Sequence, residues 1–219
     1  MRNGSGIAGW NFWLLFTLAG AVGMIVGQEG PQVVLIWVAA ALGLPGPHAV
    51  IGTTTASTGG FGFWLQHGLR HLVTGTTFAL FQWPVVRRPF QWVAWWMWVG
   101  AVTIATYLGG VIPHDDSFVS GMIVGATNGI LAGTLHWLLL RRQIPQAGWW
   151  VLASTIGTSI GWGVGFVFST PPPAYATNFL GSLLAGTVTG GLTGLGLVWL
   201  LRSVVAPRIR SLAAGAETK

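Results

Sequence analysis

Long apolar stretches that contain almost no charge constrain this chain more than any other feature. A bilayer core needs about 20 apolar residues per helix. The stretches that meet this requirement are 11–28, 63–86, 92–112, 117–140, 148–169 and 178–201. Only 6% of the residues are charged, whereas a soluble domain has roughly 25%. We therefore predict an all-α fold, a polytopic transmembrane helical bundle of about six spans in contact with the lipid bilayer.

The basic residues lie at the ends of alternate stretches and on the tails. They include Arg87, Arg88, Arg141, Arg142, Arg202, Arg2, Arg208, Arg210 and Lys219. The positive-inside rule places such residues in the cytoplasm. The sequence thus predicts a multi-pass protein of the bacterial inner membrane with cytoplasmic N- and C-termini. Since the net charge of +6 follows this pattern, it does not indicate binding to nucleic acid.

The segment 31–44 is apolar but only 14 residues long, which is short for a span. A seventh span at this place would reverse the orientation of the chain before it and put Arg2 outside the cell. We therefore predict a re-entrant or surface-lying helix at 31–44, turned by the sequence "GLPGP" at 43–47.

A block of sequence occurs twice, as "WPVVRRPFQWVAWW" (83–96) and "WLLLRRQIPQAGWW" (137–150), 54 positions apart. In each copy a Gly-rich helix is followed by an Arg pair, a turn and a Trp-led helix. We predict three helical hairpins within a single transmembrane domain, 1–219. The repeat units are approximately 11–88, 92–142 and 148–202, and 203–219 forms a cytoplasmic tail. The topology and lipid anchors are Arg87, Arg88, Arg141, Arg142, Trp95, Trp96, Trp149 and Trp150.

Small residues recur every fourth position in the Gly-rich helices. They are Gly121, Gly125, Gly129 and Gly133, and, in the third hairpin, Gly186, Gly190 and Gly194 after Ser182. Residues four apart lie on one face of a helix, and small side chains let two backbones approach closely. These ridges predict tight helix packing, either within the chain or against other membrane protein subunits.

The sequence "LHWLLLRRQIPQAGWWVLASTIGTSIGW" (135–162) resembles a group of multi-span membrane proteins of cyanobacteria and other photosynthetic bacteria. The group carries repeated Leu-Gln-Trp, Leu-Arg-Arg and Ala-Gly-Trp-Trp-Val-Leu-Ala-Ser motifs. Here "FQW" at 81–83 keeps the Gln, while His136 replaces it in the second copy. The resemblance covers most of 68–202, and it implies a topology and not an activity.

Several ionisable residues could carry chemistry near the outer side. Subtracting 54 from Gly121 and Gly125 gives His67 and His71, so two histidines replace glycines of the packing face. The other candidates are Arg70, Glu29, His114, Asp115 and Asp116, with His136 near the cytoplasmic side. One interpretation is structural, with Arg70 snorkelling or pairing with Glu29. In the second, His67 and His71 ligate a metal or a chlorophyll-type pigment; a carotenoid is a further candidate cofactor. In the third, the cluster belongs to a permeation path.

No motif indicates catalysis, and no metal site is assigned. The segment "GTTTASTGG" (52–60) lacks the Lys of a P-loop, and the histidine pair lacks the Glu of a zinc protease motif. We therefore predict a non-enzymatic membrane protein, in the first place a structural or accessory subunit. The alternatives are a small transporter or channel, and a pigment- or metal-binding protein that uses His67 and His71.

Overall fold

The computed structural model describes the backbone of residues 9–41, 61–112, 117–169 and 175–217, and the side chains of these residues except 32, 34–40, 61–67, 175–178 and 204–217. Within these ranges the chain forms six α-helices and no strand. They are α1 (Trp10–Ala41), α2 (Phe61–Val86), α3 (Trp95–Gly110), α4 (Phe118–Leu140), α5 (Gly148–Phe168) and α6 (Tyr175–Glu217). The all-α prediction is confirmed for this part of the chain.

Four of these helices contain segments long and apolar enough to cross a membrane: Trp10–Pro31, Phe118–Leu140, Gly148–Phe168 and Phe179–Ser203. A bilayer core is about 30 Å thick and needs about 20 such residues. By length and composition the chain is therefore an integral membrane protein. Helices α2 and α3 do not qualify by the same measure within the described residues.

The six helices pack as a closed ring. Each helix contacts its neighbours in the chain, and α1 also contacts α6. Neighbouring helices run antiparallel: along α4 and α5, Gly121 lies against Trp162 while Gly133 lies against Val151. Helices α1 and α6, which close the ring, are also antiparallel: Gly186 contacts Ala21, and Gly194 contacts Trp13.

The Gly-rich ridges lie at the contacts between neighbouring helices. A Cβ atom added to Gly121 would come within 2.7 Å of the carbonyl oxygen of Trp162, and one added to Gly133 within 2.8 Å of the Cα of Val151. A Cβ atom added to Gly125 or Gly129 would come even closer to atoms of α5. In α6, Gly186, Gly190 and Gly194 lie in the same way against α1. The absence of a side chain at these positions therefore sets the distance between the helices.

The segment 31–44 differs from its prediction. Residues 31–41 continue α1 and do not form a separate helix, while 42–44 lie outside the described residues. Pro31 would be expected to break the helix, because it has no N–H to donate to the carbonyl of Gly27. The hydroxyl of Thr74 in α2 lies 3.1 Å from that carbonyl oxygen and is buried there. The same hydroxyl lies 2.9 Å from the carbonyl oxygen of Arg70, so its one proton is shared between two acceptors. A neighbouring helix thus offers a shared donor to the carbonyl that Pro31 leaves open, and α1 runs on.

The last helix also extends beyond its predicted span. The apolar segment ends near Ser203, but the backbone of α6 stays helical to Glu217. Much of the predicted cytoplasmic tail, 203–219, is therefore a continuation of α6. At Arg202 the sequence changes from apolar to basic. This change ends the apolar span, but the helix continues beyond it.

The interior of the ring combines an apolar core with buried polar side chains, and the outer faces are apolar. The buried polar residues are Thr17, His71, Thr74, Gln82, Thr106, Asn128, His136, Ser154, Ser159, Ser182, Thr189 and Thr193. The outward faces carry exposed apolar side chains such as Leu18, Ile104, Val119 and Ile123. The apolar exterior distinguishes this bundle from a soluble one and suits a lipid environment.

Candidate binding cavity

A cavity of about 60 Å³ lies inside the ring, and all six helices contribute to its wall. Its polar lining residues are Thr74, Gln82, Thr106, Asn128, His136, Ser154, Thr158, Thr189 and Thr193. Its apolar lining residues include Met24, Phe78, Val102, Trp98, Trp150 and Trp162. None of the residues that line it is an acid, a lysine or an arginine, so the cavity offers hydrogen bonds without a formal charge.

An aromatic cluster lies at the end of the cavity nearest the Arg-bearing turns. The rings of Trp98 and His136 stack with centroids 3.8 Å apart and an angle of 11° between their planes. The indole N–H of Trp150 donates to Nδ1 of His136 over 3.3 Å. An indole nitrogen can only donate, so Nδ1 is the acceptor and Nε2 carries the proton. That Nε2–H donates to the backbone oxygen of Trp98, also over 3.3 Å.

The cluster corrects the assignment of Trp150 as a lipid anchor. Trp150 is 3% exposed, whereas its neighbour Trp149 is 54% exposed. Successive residues of a helix point about 100° apart, and the way α5 packs in the ring turns Trp150 inward and Trp149 outward. Trp149 keeps the predicted position, and Trp150 holds His136 from inside the ring.

The remaining predicted anchors lie on the surface. Trp95 and Trp96 are exposed at the start of α3, and Arg87, Arg88, Arg141 and Arg142 are exposed in the two turns. The guanidinium of Arg141 lies 5.3 Å from the centroid of the Trp137 ring, a cation–π distance. Because neighbouring helices are antiparallel, both Arg-bearing turns lie at the same end of the ring.

Asn128 occupies the middle of α4 and lines the cavity. It is 4% exposed, and neither its amide nitrogen nor its amide oxygen has a hydrogen-bond partner. A Cβ atom at Gly109 of α3 would overlap with the Asn128 amide, so glycine at this position makes room for it. Nε1 of Trp98 and Oγ1 of Thr189 are also buried without a hydrogen-bond partner.

The predicted outer-side residues are only partly placed by the structure. His71 is buried, packs against Gly110 and lies with its ring centroid 5.7 Å from that of Trp162. Arg70 is exposed one position before it. The side chain of His67 lies outside the described residues, as do all atoms of His114, Asp115 and Asp116.

Glu29 takes part in a contact between α1 and α6. The hydroxyl of Ser182 lies 2.8 Å from Oε1 of Glu29 and 3.1 Å from Oε1 of Gln28. Ser182 is the first residue of the small-residue ridge in α6 and is 2% exposed. The one described acid of the bundle thus accepts a hydrogen bond across the seam that closes the ring.

The geometry of His136 bears on its suggested role as a ligand. Both ring nitrogens of His136 are occupied by hydrogen bonds, so neither offers a lone pair to a metal or a pigment. Among the described residues, no group of three or more His, Cys, Asp or Glu side chains is placed to hold a metal ion.

Several residues that line the cavity were not predicted as site residues from the sequence. Asn128, Gln82, Trp98 and Thr189 line it. A signal for two of them was available. Asn128 is an amide in the middle of a long apolar span, and Gln82 and His136 are polar residues at matching places in the repeated block.

Comparisons of the chain with protein-family models, with curated proteins and with solved structures found no match. The geometry of the cavity is therefore the basis on which a role can be assigned.

Proposed function

We propose that the protein is a six-span protein of the bacterial inner membrane, with both termini in the cytoplasm, that works as a small transporter or channel for an uncharged solute. The observation that carries this proposal is the cavity inside the helix ring. Its wall combines uncharged hydrogen-bonding side chains from five of the six helices with apolar side chains, and no acid, lysine or arginine lines it.

The outer faces of α2 and α3 support six spans. Leu69, Val73 and Leu80 of α2 and Ile104 and Leu108 of α3 are exposed apolar side chains. Trp98 and Gly109 of α3 contact His136 and Asn128 of α4, so α3 runs beside a helix that is itself long enough to span. Helices that share the level and the apolar exterior of their neighbours belong in the same lipid layer.

Equivalent positions of the repeated blocks support three related hairpins. Gln82 and His136 each precede the tryptophan near the end of α2 and α4, and Val198 precedes the tryptophan near the end of the apolar segment of α6. All three side chains are buried. A threefold arrangement of hairpins would bring these positions to one level of the ring, where two of them line the cavity.

The Gly ridges favour this proposal over an accessory subunit. In the sequence, these ridges suggested a partner subunit, because a helix face of small residues packs closely against another helix. In the ring, the ridge of α4 packs on α5 and that of α6 on α1. The chain thus uses its own ridges, and the role of an accessory subunit stays a prediction. A pigment- or metal-binding role also stays a prediction, now without His136 as a ligand.

Solute flux into vesicles tests the proposed function. The purified protein would be reconstituted into liposomes, and stopped-flow light scattering would follow their swelling in glycerol, in urea and in potassium chloride. We expect at least one neutral solute to enter several-fold faster than into protein-free liposomes, while potassium chloride entry is unchanged. Entry rates equal to those of protein-free liposomes for every neutral solute would contradict the proposal, as would equal acceleration of potassium chloride.

A further inference from the structure

We propose that a groove on the outer face of α5 and α6 binds one anionic phospholipid, with the headgroup phosphate at Arg202 and an acyl chain between the two helices. This inference goes beyond the proposed function, because it concerns the lipid-facing surface and not the path inside the ring. It takes from the proposed function only the orientation, which puts the Arg-bearing turns, and therefore this lipid, on the cytoplasmic side.

The groove has a volume of about 430 Å³ and opens on the surface of the ring. Small residues form its floor. A Cβ atom added to Gly196 of α6 would come within 2.5 Å of the Cβ of Ala153 in α5, so the two helices touch there and leave no deeper space. Exposed large apolar side chains form the two sides, namely Trp149, Leu152 and Ile156 of α5 and Leu195 and Trp199 of α6.

The dimensions of the groove suit an acyl chain that lies along the helices. Trp149 and Ile156 are seven residues apart in α5, or about 10 Å along the helix axis. One leaflet of a bilayer core is roughly 15 Å thick. At the end near the Arg-bearing turns, the ring centroids of Trp149 and Trp199 are 6.1 Å apart, whereas a helix with its side chains is about 10–12 Å across. The groove is therefore too narrow there for a helix of a partner protein.

Arg202 lies at the end of the groove that the headgroup would occupy. It follows Trp199 by three residues, so the two side chains share one face of α6. Arg202 is exposed and also has an interaction within the protein. Since a guanidinium carries several N–H donors and forms charge-assisted hydrogen bonds with phosphate, it can bind a headgroup as well.

The surrounding charge selects an anionic headgroup over a zwitterionic one. Arg141 and Arg142 are exposed in the turn that leads into α5. Among the described side chains, the one acid is Glu29, which contacts Ser182 at the opposite end of α6. The positively charged amine of a zwitterionic lipid would thus meet arginines and no described carboxylate.

The two tryptophans of the groove fit the boundary between headgroup and chain. An indole ring can pack on an acyl chain with its apolar body, while its N–H donates to a polar group at the interface. Trp149 and Trp199 are both exposed and contact each other edge to face. They therefore offer donors to the phosphate or ester oxygens of the same lipid whose chain they contact.

Native mass spectrometry of the purified, delipidated protein tests the inference. The protein would be titrated with phosphatidylglycerol and with phosphatidylcholine of the same acyl chains. We expect the first phosphatidylglycerol to bind about fivefold more tightly, as one arginine near an anionic headgroup would give, and Arg202→Gln to remove this preference. Arg88→Gln, which removes an exposed arginine between α2 and α3, should keep it. Equal affinities in the wild type, or equal losses in the two variants, would overturn the inference.

The apolar part of the site is tested by the same titration. Trp199→Ala removes part of one side of the groove and should weaken the binding of phosphatidylglycerol several-fold. Trp96→Ala, which removes an exposed tryptophan of α3, should not. Glycerol phosphate, the headgroup without chains, should not displace the lipid at equal concentration. Equal effects of the two truncations, or displacement by glycerol phosphate, would contradict a chain bound in the groove.

Photo-crosslinking locates the lipid in a bilayer. Phosphatidylglycerol or phosphatidylcholine with a diazirine in one acyl chain would be added to liposomes that contain the protein. We expect the excess of phosphatidylglycerol crosslinks to fall on 149–156 and 195–199 and to disappear in Arg202→Gln. An excess spread evenly over the six helices would overturn the inference. So would a dimer that persists without lipid and dissociates in Trp199→Ala, because the groove would then hold a second copy of the chain.

Discussion

Gly125→Leu is expected to lower the free energy of unfolding by about 3 kcal/mol or more, the upper range for overpacking in a well-packed interior. A Cβ atom at this position would come within 2.9 Å of the Cα of Ser159, and closer still to the carbonyl of Thr158. These are backbone atoms of α5, which cannot rotate away. Moving α5 outward would also break the 2.6 Å hydrogen bond from the Thr158 hydroxyl to the backbone oxygen of Gly125.

Gly100→Leu is the matched control. It adds the same side chain in α3, where a Cβ atom at Gly100 would have no atom within 4 Å. Unfolding midpoints in detergent, followed by circular dichroism, should fall sharply for Gly125→Leu and stay close to that of the wild type for Gly100→Leu. Equal midpoints for the two variants would mean that α4 and α5 do not pack along this ridge.

Trp98→Ala is expected both to destabilise the ring and to speed the passage of solute. Trp98 is 1% exposed and among the largest fully buried side chains. Truncating such a residue costs about 3–5 kcal/mol. Its indole also covers His136 at the inner end of the cavity. Under the proposed function, removing it widens that end, and neutral solutes should enter vesicles several-fold faster than with the wild type.

Trp96→Ala is the control for the effect of removing any tryptophan from this helix. Trp96 lies on the same helix and is 59% exposed, so its truncation should change neither the unfolding midpoint nor the entry rate appreciably. The comparison uses Trp98→Ala vesicles that still retain potassium. If neutral solutes enter them no faster than they enter wild-type vesicles, Trp98 does not restrict the solute path.

The positions of the helices were largely predictable from the sequence. In α4 and α5 the apolar stretches end at turns rich in Arg and Pro, and the helices begin and end within a residue or two of the predicted spans. Local composition controls these boundaries, because lipid requires a minimum apolar length and arginine prefers the interface.

Features that depend on contacts between residues distant in the sequence could not be predicted from local composition. Pro31 ends a helix by local rules, whereas in the structure α1 continues past it, with the Thr74 hydroxyl of α2 beside the carbonyl oxygen of Gly27. Trp150 is identical in type to Trp149, and only the rotation of α5 in the ring turns it inward. The cavity itself follows from closure of the ring by α1 and α6, for which the sequence offers a ridge but no partner.

A disulfide across the contact of α1 and α6 tests ring closure most directly. The chain contains no cysteine, so Thr17→Cys combined with Gly190→Cys introduces the only pair. A Cβ atom at Gly190 would lie 3.1 Å from the Cα of Thr17. The two Cα atoms therefore lie within about 4.6 Å of each other, at the short end of the range that a disulfide spans. Leu18→Cys with Gly190→Cys is the control, since Leu18 is 59% exposed.

The measurement uses native membranes and a protease site inserted in the segment 42–60, so that cleavage separates α1 from the rest of the chain. After oxidation and cleavage, the two fragments of the Thr17→Cys, Gly190→Cys protein should migrate as one band without reductant and as two with it. The control pair should give two bands in both conditions. Two bands without reductant from the Thr17→Cys, Gly190→Cys protein would contradict a closed ring of helices, and with it the cavity.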